Sequence, residues 1–593
     1  MREYKKITTV TILVLGGLTG FGDRTAAQQN ADARFEALAG RFIEEMPGYW
    51  PVYATQLGDH RFDTAIDRVN AGAREARIEL YARYLDDLGD IDVTSLSRAN
   101  QVDAELLRHE LESGLWSFEV LQEWAWNPLD YTDIAGSAIY GLVARDFAPI
   151  DERMLRVDAR LSELPRFFSE ARESLDPVRV PLIHAETAVQ QHAGLMSLVD
   201  ELIIPMMDGL PQGIRDRLMV SISVAREAAR RHGEWLENVL LPNAAGEFRL
   251  GSELYEQKLE FTLNSTLSPR TVARRAQREF DAVRDEMYEV ARAVYEEKYP
   301  FADLPDRPSD DLQQVVIRAA LEEAYQRLPD RDAIVEVAAE SLDRTRAFVV
   351  ERDLVTVPND PIEIVVMPEF QRGVYVAYCD SPGPLEAGAE TFYAVAPLPD
   401  DWTPEQDRSF LREYNLLSIE DLTIHEAMPG HYLQLSHSNR YPSVLRAVLS
   451  SGPFIEGWAV YAERLMIEQG YLENEPLMRL INLKWYLRTV TNAIIDQAIH
   501  AGDMTREEAL DLMIEGAFQE EREAAGKWTR AQLTSAQLST YFVGYLEHAD
   551  LRREVESAAG ANFSLKAYHD EVLSYGSPPG RYIRALMLDE PIL

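Results

Sequence analysis

The sequence predicts a mainly α-helical protein carrying one small β-sheet just before a candidate metal-binding helix. Three observations predict it. Windows rich in Ala, Leu, Glu and Arg, with apolar positions at helical spacing, fill most of the 593 residues. Between about 361 and 397 that pattern gives way to short β-branched and aromatic runs bounded by Pro and Gly. Helix then returns with His425-Glu426-Ala427-Met428-Pro429-Gly430-His431, followed 25 residues later by Glu456-Gly457-Trp458-Ala459.

The elements follow in chain order. Arg2, Lys5 and Lys6 precede an apolar run from Ile7 to Phe21, and Thr25-Ala26-Ala27 supplies small residues for cleavage. Residues 1–27 thus read as a bacterial secretory signal peptide, too short for a stable membrane span, and the product is expected in the periplasm or outside the cell. No cysteine lies near the cleavage site, which argues against a lipid anchor. Helices are expected over 31–46, 71–89, 96–123, 151–175, 183–201, 213–240 and 270–298, separated by Pro- and Gly-containing stretches. A Pro/Asp-rich segment from Tyr299 to Asp310 divides an N-terminal helical half (28–300) from a C-terminal half with the metal motif (301–593).

Strands are expected at Ile362–Val366, Val374–Tyr378 and Thr391–Val395. Ser418, with Asp421 three residues on, reads as the cap of the next helix, which puts His425 in its second turn. Further helices are expected over 443–470, 475–501, 505–525 and 530–549. No later stretch reads as transmembrane.

Hydrophobic content of 46% and charged content of 27% suit a folded protein with a large core. The formal net charge of −40, near −42 once residues 1–27 are removed, argues against nucleic acid or an anionic membrane as partner. The single cysteine, Cys379, can form no internal disulfide and reads as a buried small residue. Nothing in the sequence fixes an oligomeric state.

The chemistry lies in the histidine motif. Two histidines beside a glutamate are the parts of a zinc hydrolase, but the common motif places them at i and i+4 on one helical face. Here the second is at i+6, about 600° around an ideal helix, so only a break could bring both imidazoles to one metal. Pro429-Gly430 offers that break. For the third ligand, His437 lacks the midway glycine that a turn back would need, and Glu456 fits better. Glu463, at i+7 from Glu456, shares its helical face and can hold a ligating imidazole. Glu426 is then the general base for a zinc-activated water. Tyr541 or Tyr545 could donate to the oxyanion.

The motifs H-E-x-x-P-G-H at 425–431 and E-G-W-A-x-Y-x-E at 456–463 resemble those of the bacterial domain-of-unknown-function 885 family. Pro51-Val52-Tyr53-Ala54-Thr55-Gln56-Leu57-Gly58-Asp59-His60 resembles another of its motifs, and Arg530, Gln537, Tyr541 and Gly544 meet a fourth. The likeness spans the chain after residue 27, with two departures. Tyr432 stands where the family often has a second histidine, and Ser535 stands where it has proline. Arg488, Asp496 and His500 also match a family pattern, with Asp496 and His500 one turn apart behind the site or in a structural network. The family is regarded as metallopeptidase-like, of the gluzincin type. Its architecture is similar to thimet oligopeptidase, angiotensin-converting enzyme and carboxypeptidase Taq. The resemblance implies a large helical shell around a deep channel, short peptides as substrate, and a sheet edge near 391–397 that pairs with an extended peptide.

Together these readings give an exported zinc metallopeptidase with one ion held by His425, His431 and Glu456, another divalent metal remaining open. Arg488, Arg530, Gln537 and Arg581 are candidate substrate-binding residues, the arginines because guanidinium clamps carboxylates. The alternatives are a metal-dependent hydrolase of a non-peptide amide or ester, and a non-catalytic peptide-binding protein that keeps its metal.

Overall fold

Helix dominates the computed structural model, which describes residues 19–367, 377–386, 388–399 and 402–592. Most of the predicted leader therefore lies outside the described residues, as do residues 374–376 of the second expected strand. Among the described residues no helix is long and apolar enough to cross a membrane.

The long Ala/Leu/Glu/Arg windows form the helices they predict, including Ala71–Gly89, Ile150–Ser174 and Pro269–Lys298. Others were hidden. Pro128–Val143 is a helix opened by Asn127, whose side chain accepts from Leu129 N–H, with Pro128 at the first position. Its glycines and β-branched residues obscure it in the sequence. The window 443–470 splits at Leu449-Ser450-Ser451, where Ser451 caps a new helix.

One core gathers residues from Val52 to Leu240, and the largest runs from Tyr255 to Ile583. Helix Pro269–Lys298 belongs to the latter and packs along Pro476–His500. The Tyr299–Asp310 segment follows that helix, and a third core joins Phe35 to Leu111 with Leu445 and Val448.

The sheet has three strands, β1 (Ile362–Val366), β2 (Ala377–Asp380) and β3 (Thr391–Val395), in the order β1-β3-β2. β3 runs parallel to β1, with Ile362 opposite Thr391, and antiparallel to β2, with Cys379 opposite Tyr393. This corrects the expectation of an open edge at 391–397: β3 is central and paired on both sides. The outer edge of β2 is the one turned toward the metal motif, because Cys379 N–H points away from β3 to Glu426 Oε2 at 3.0 Å.

Six helices carry the site: α1 (Leu416–Glu426), α2 (His431–Ser438), α3 (Gly452–Glu468), α4 (Pro476–His500), α5 (Glu521–Leu533) and α6 (Ser539–Ala559). The cap of α1 is Asn415, not Ser418, its side chain accepting from the N–H groups of Leu417 and Ser418 at 3.1 and 3.2 Å. His425 accordingly falls in the last turn of α1 rather than the second.

Candidate metal centre

The motif's irregular spacing is built as a break between two helices. α1 ends at Glu426, a cis Met428–Pro429 bond follows, and α2 begins at His431. The turn closes on α1 itself, with Gly430 N–H donating to Ile424 O at 2.9 Å. A Cβ at Gly430 would stand 1.9 Å from the carbonyl oxygen of His425, so the turn admits only glycine. Trp458 of α3 donates its indole N–H to Pro429 O at 2.8 Å and pins the turn from the other side.

The break swings the second imidazole back to the first, their ring centroids 4.7 Å apart and nearly perpendicular. Glu456, in the second turn of α3, meets both: its Oε2 lies 3.6 Å from His425 Nε2 and 3.4 Å from His431 Nε2. Donor atoms of the three residues all lie within 4.8 Å of one another. Tetrahedral zinc with ligands at ~2.0–2.1 Å separates its donors by ~3.4 Å, so the spacing fits. Glu456 Oε2 is moreover buried with no hydrogen-bond partner, an expensive arrangement unless a cation completes it. Burial works to raise the Glu456 carboxyl, but the two imidazoles outweigh it and hold it well below the usual carboxylate range.

The surroundings orient this set. His425 Nδ1 lies 2.5 Å from Glu463 Oε1, which favours a proton on Nδ1 and leaves Nε2 facing Glu456. Burial and then Glu463 push Asp421, one turn before His425, well above the usual carboxylate range. Glu426, beside His425, has one oxygen on Cys379 N–H and, among the described residues, no partner on the other, and burial raises its pKa. The lone cysteine thus serves through its backbone, while burial raises its thiol well above the usual range.

α3 and α6 cross at glycine. A Cβ on Gly457 would lie 2.2 Å from the backbone of Gly544, and one on Gly544 would lie 1.8 Å from Pro453 O. This approach carries Tyr541, one turn before Gly544, to the metal cluster, where burial and then the Glu456 charge raise its pKa. Its hydroxyl oxygen accepts from Arg530 Nη2 at 3.0 Å, which leaves its own proton to donate. Gln537 accepts from the same Arg530 nitrogen at 3.0 Å. Tyr545, the other candidate, packs on Tyr486 with centroids 4.7 Å apart and lines no part of the cavity.

The cluster opens on a cavity of about 560 Å³ whose walls include β2, Trp402, Tyr414, Arg488, Lys527 and Arg530. Three candidates stand apart from it. Asp496 accepts from Ala536 N–H at 3.1 Å and Ser539 Oγ at 2.7 Å, and so fixes the start of α6 rather than touching the cluster. His500 Nε2 lies 2.8 Å from Ala531 O and 2.7 Å from Thr534 O, tying α4 to the end of α5. Arg581 lies over the Tyr582 ring at 4.5 Å, away from the cavity walls. His437 is also elsewhere, 2.8 Å from Thr356 O. The sequence reading missed Lys527: its segment, Glu-Arg-Glu-Ala-Ala-Gly-Lys, has the look of a solvated helix, and only the tertiary packing buries it.

A solved structure of a candidate lipoprotein of unknown function from Shewanella oneidensis is 32% identical to the chain. The match covers 93% of this chain and 99% of that one, with a TM-score of 0.77. A candidate lipoprotein from Colwellia psychrerythraea, 18% identical, shares the fold over 95% of this chain and 99% of its own, with a TM-score of 0.73. Among curated proteins none matches. The family described as "Bacterial protein of unknown function (DUF885)" matches residues 51–587, which hold both halves of the His/Glu cluster, and the chain belongs to that family.

Proposed function

We propose that the protein is an exported, zinc-dependent hydrolase of short peptides. The observation that carries this is the convergence of His425, His431 and Glu456, with a buried unpartnered carboxylate oxygen at the shared vertex and Glu426 beside it at the mouth of a cavity. Bound there, zinc supplies Lewis acidity, polarising a carbonyl and lowering the pKa of water toward ~7.

The chain's own groups divide the remaining work. Glu426 takes the proton of the attacking water on its free oxygen and delivers it to the leaving nitrogen, a role suited by its raised pKa. Cys379 N–H keeps that carboxylate from turning away. Tyr541 stays protonated and donates to the oxyanion, with Arg530 drawing on its oxygen. The cavity suits a ligand of a few residues. Export is supported by the basic and apolar N-terminal run and by the two bacterial candidate lipoproteins that share the fold.

The test is metal analysis joined to turnover of a short-peptide library. Zinc near one per chain and chelator-sensitive cleavage are expected. Glu426→Gln should keep the metal and lose about 10³-fold in kcat. A metal-loaded protein that cleaves no peptide but hydrolyses small amides or esters would move the reading to that substrate class.

A further inference from the structure

α4 and α5 bring four cations to the cavity wall, Arg488, Arg522, Lys527 and Arg530. Arg522 lies over the Trp402 ring at 4.2 Å, and two others are engaged. Arg488 Nη2 lies 2.5 Å from Glu523 Oε1, and Arg530 spans Gln537 and the Tyr541 hydroxyl. Lys527 differs. It is 5% exposed, and among the described residues its ammonium has no hydrogen-bond or ion-pair partner. The carboxylates that could have served it are taken. Glu523 is held by Arg488 and by the Tyr414 hydroxyl at 3.2 Å. Glu413 is held by Lys484 at 2.8 Å and by Glu520 N–H at 3.1 Å.

The Lys527 ammonium faces the cavity with no bonded counter-ion, Glu523 and Glu413 acting on it only through space, an arrangement that an anion would improve. Burial, then Arg488 and Arg530, push it well below the usual lysine range. An anion arriving with the substrate removes both penalties. Lys527 and Arg530 are three residues apart on one face of α5, and Arg530 also touches Tyr541. The anion would therefore sit next to the group that meets the reacting carbonyl. A site reading a free amino end would instead present a carboxylate to it. Of the carboxylates lining this cavity, Glu456 belongs to the His/Glu cluster, Glu426 stands beside it, Glu463 is held by His425, and Glu413, Glu520 and Glu523 are held by Lys484, Arg412 and Arg488.

We propose that Lys527, with Arg530 beside it, anchors a free carboxylate at the C-terminal end of the substrate. The protein then acts on peptides with an unblocked C-terminus. This deepens the peptide-hydrolase reading above and rests on it.

The test offers the zinc-loaded protein an N-acetylated tripeptide library in two forms, free acids and C-terminal amides, with cleavage read by mass spectrometry. Wild type is expected to favour the acids by about 30-fold or more in kcat/KM, and Lys527→Met to bring that ratio below about 3. Lys527→Arg, which keeps the charge, should retain part of the preference. Removing a buried unpaired charge should leave the melting temperature of Lys527→Met unchanged or higher. Equal cleavage of the two libraries by wild type, or an unchanged ratio in Lys527→Met, overturns the anchor.

Binding separates this inference from the hydrolase reading. Glu426→Gln should melt higher with the acid library than with the amide library, and adding Lys527→Met should erase the difference. If nothing is cleaved but this Lys527-dependent shift is present, the anchor stands and the hydrolase reading falls. Cleavage without acid preference sinks the anchor alone. No cleavage and no acid-selective shift overturn both.

Discussion

Among the described residues two pairs of histidine rings lie within about 5 Å of each other, and only one has the makings of a metal centre. His192 and His232, in the N-terminal core, have ring centroids 5.0 Å apart, hardly farther than the 4.7 Å between His425 and His431. Their surroundings are opposite. His232 stacks on Phe168 at 4.6 Å and on Trp235 at 5.8 Å, and His192 Nε2 spends itself on Ala229 O at 2.8 Å. No carboxylate stands between the two rings, and burial, then His192 and Arg172, lowers the His232 pKa to about 2. At the metal motif, by contrast, Glu456 occupies the common vertex and Glu463 backs the first imidazole, and His425 is pushed well up. What distinguishes the second pair is therefore its ring of carboxylates and not the nearness of two imidazoles.

The sharpest way to break this contrast is to remove one imidazole from each pair. His431→Ala should abolish stoichiometric zinc binding after dialysis, and turnover with it. His192→Ala should keep zinc at the wild-type level and lower only the melting temperature, by several degrees. Zinc loss in both would mean that the contrast is wrong. Next in size is Tyr541→Phe, expected to lower kcat by ~10²–10³-fold with zinc content kept; a loss confined to KM would take the tyrosine out of oxyanion stabilisation. Glu463→Gln probes the backing carboxylate and should weaken zinc affinity by ~10–100-fold in a competition titration, since the ring loses its charged acceptor.

The smallest effect belongs to the N-terminal pair. The His232 pKa is lowered on folding, so its contribution is fully present above the unfolded value of ~6.5 and is lost as pH falls below it. The unfolded chain binds the extra proton, so stability falls by up to ~1.4 kcal/mol per pH unit for this group between pH 6.5 and 4.5. His232→Phe should flatten that part of the melting profile; an identical slope would show that other groups set it.

Much of this was legible in the sequence, and the failures have physical causes. The cluster was readable because proline and glycine announce a break and because carboxylate and imidazole spacing carries ligand chemistry. The strands at 362–366 and 391–395 were readable from β-branched runs, but their order was not, since pairing depends on where the chain returns. An edge was therefore assigned to a strand that is central. Ser418 lost the cap to Asn415 because both residues near the start of α1 have capping chemistry and only backbone geometry chooses between them. Asp496 and His500 sat in a suggestive series, but their partners are the backbone of residues 531–536 and Ser539, which no spacing rule reveals. Lys527 was invisible for the converse reason: burial is a property of the assembled walls.

The glycine crossing of α3 and α6 bears on how this site could change over time. Gly457 follows Glu456 and Gly544 lies one turn past Tyr541, so a single contact gauges the span between Glu456 and Tyr541. Enlarging either glycine would drive the helices apart and spoil both groups at once, and no compensating change on the opposite helix can restore a gap smaller than one methyl. The crossing is frozen for that reason. The walls built by β2 and α5 touch the cavity without entering that contact, so substitutions there leave the crossing intact.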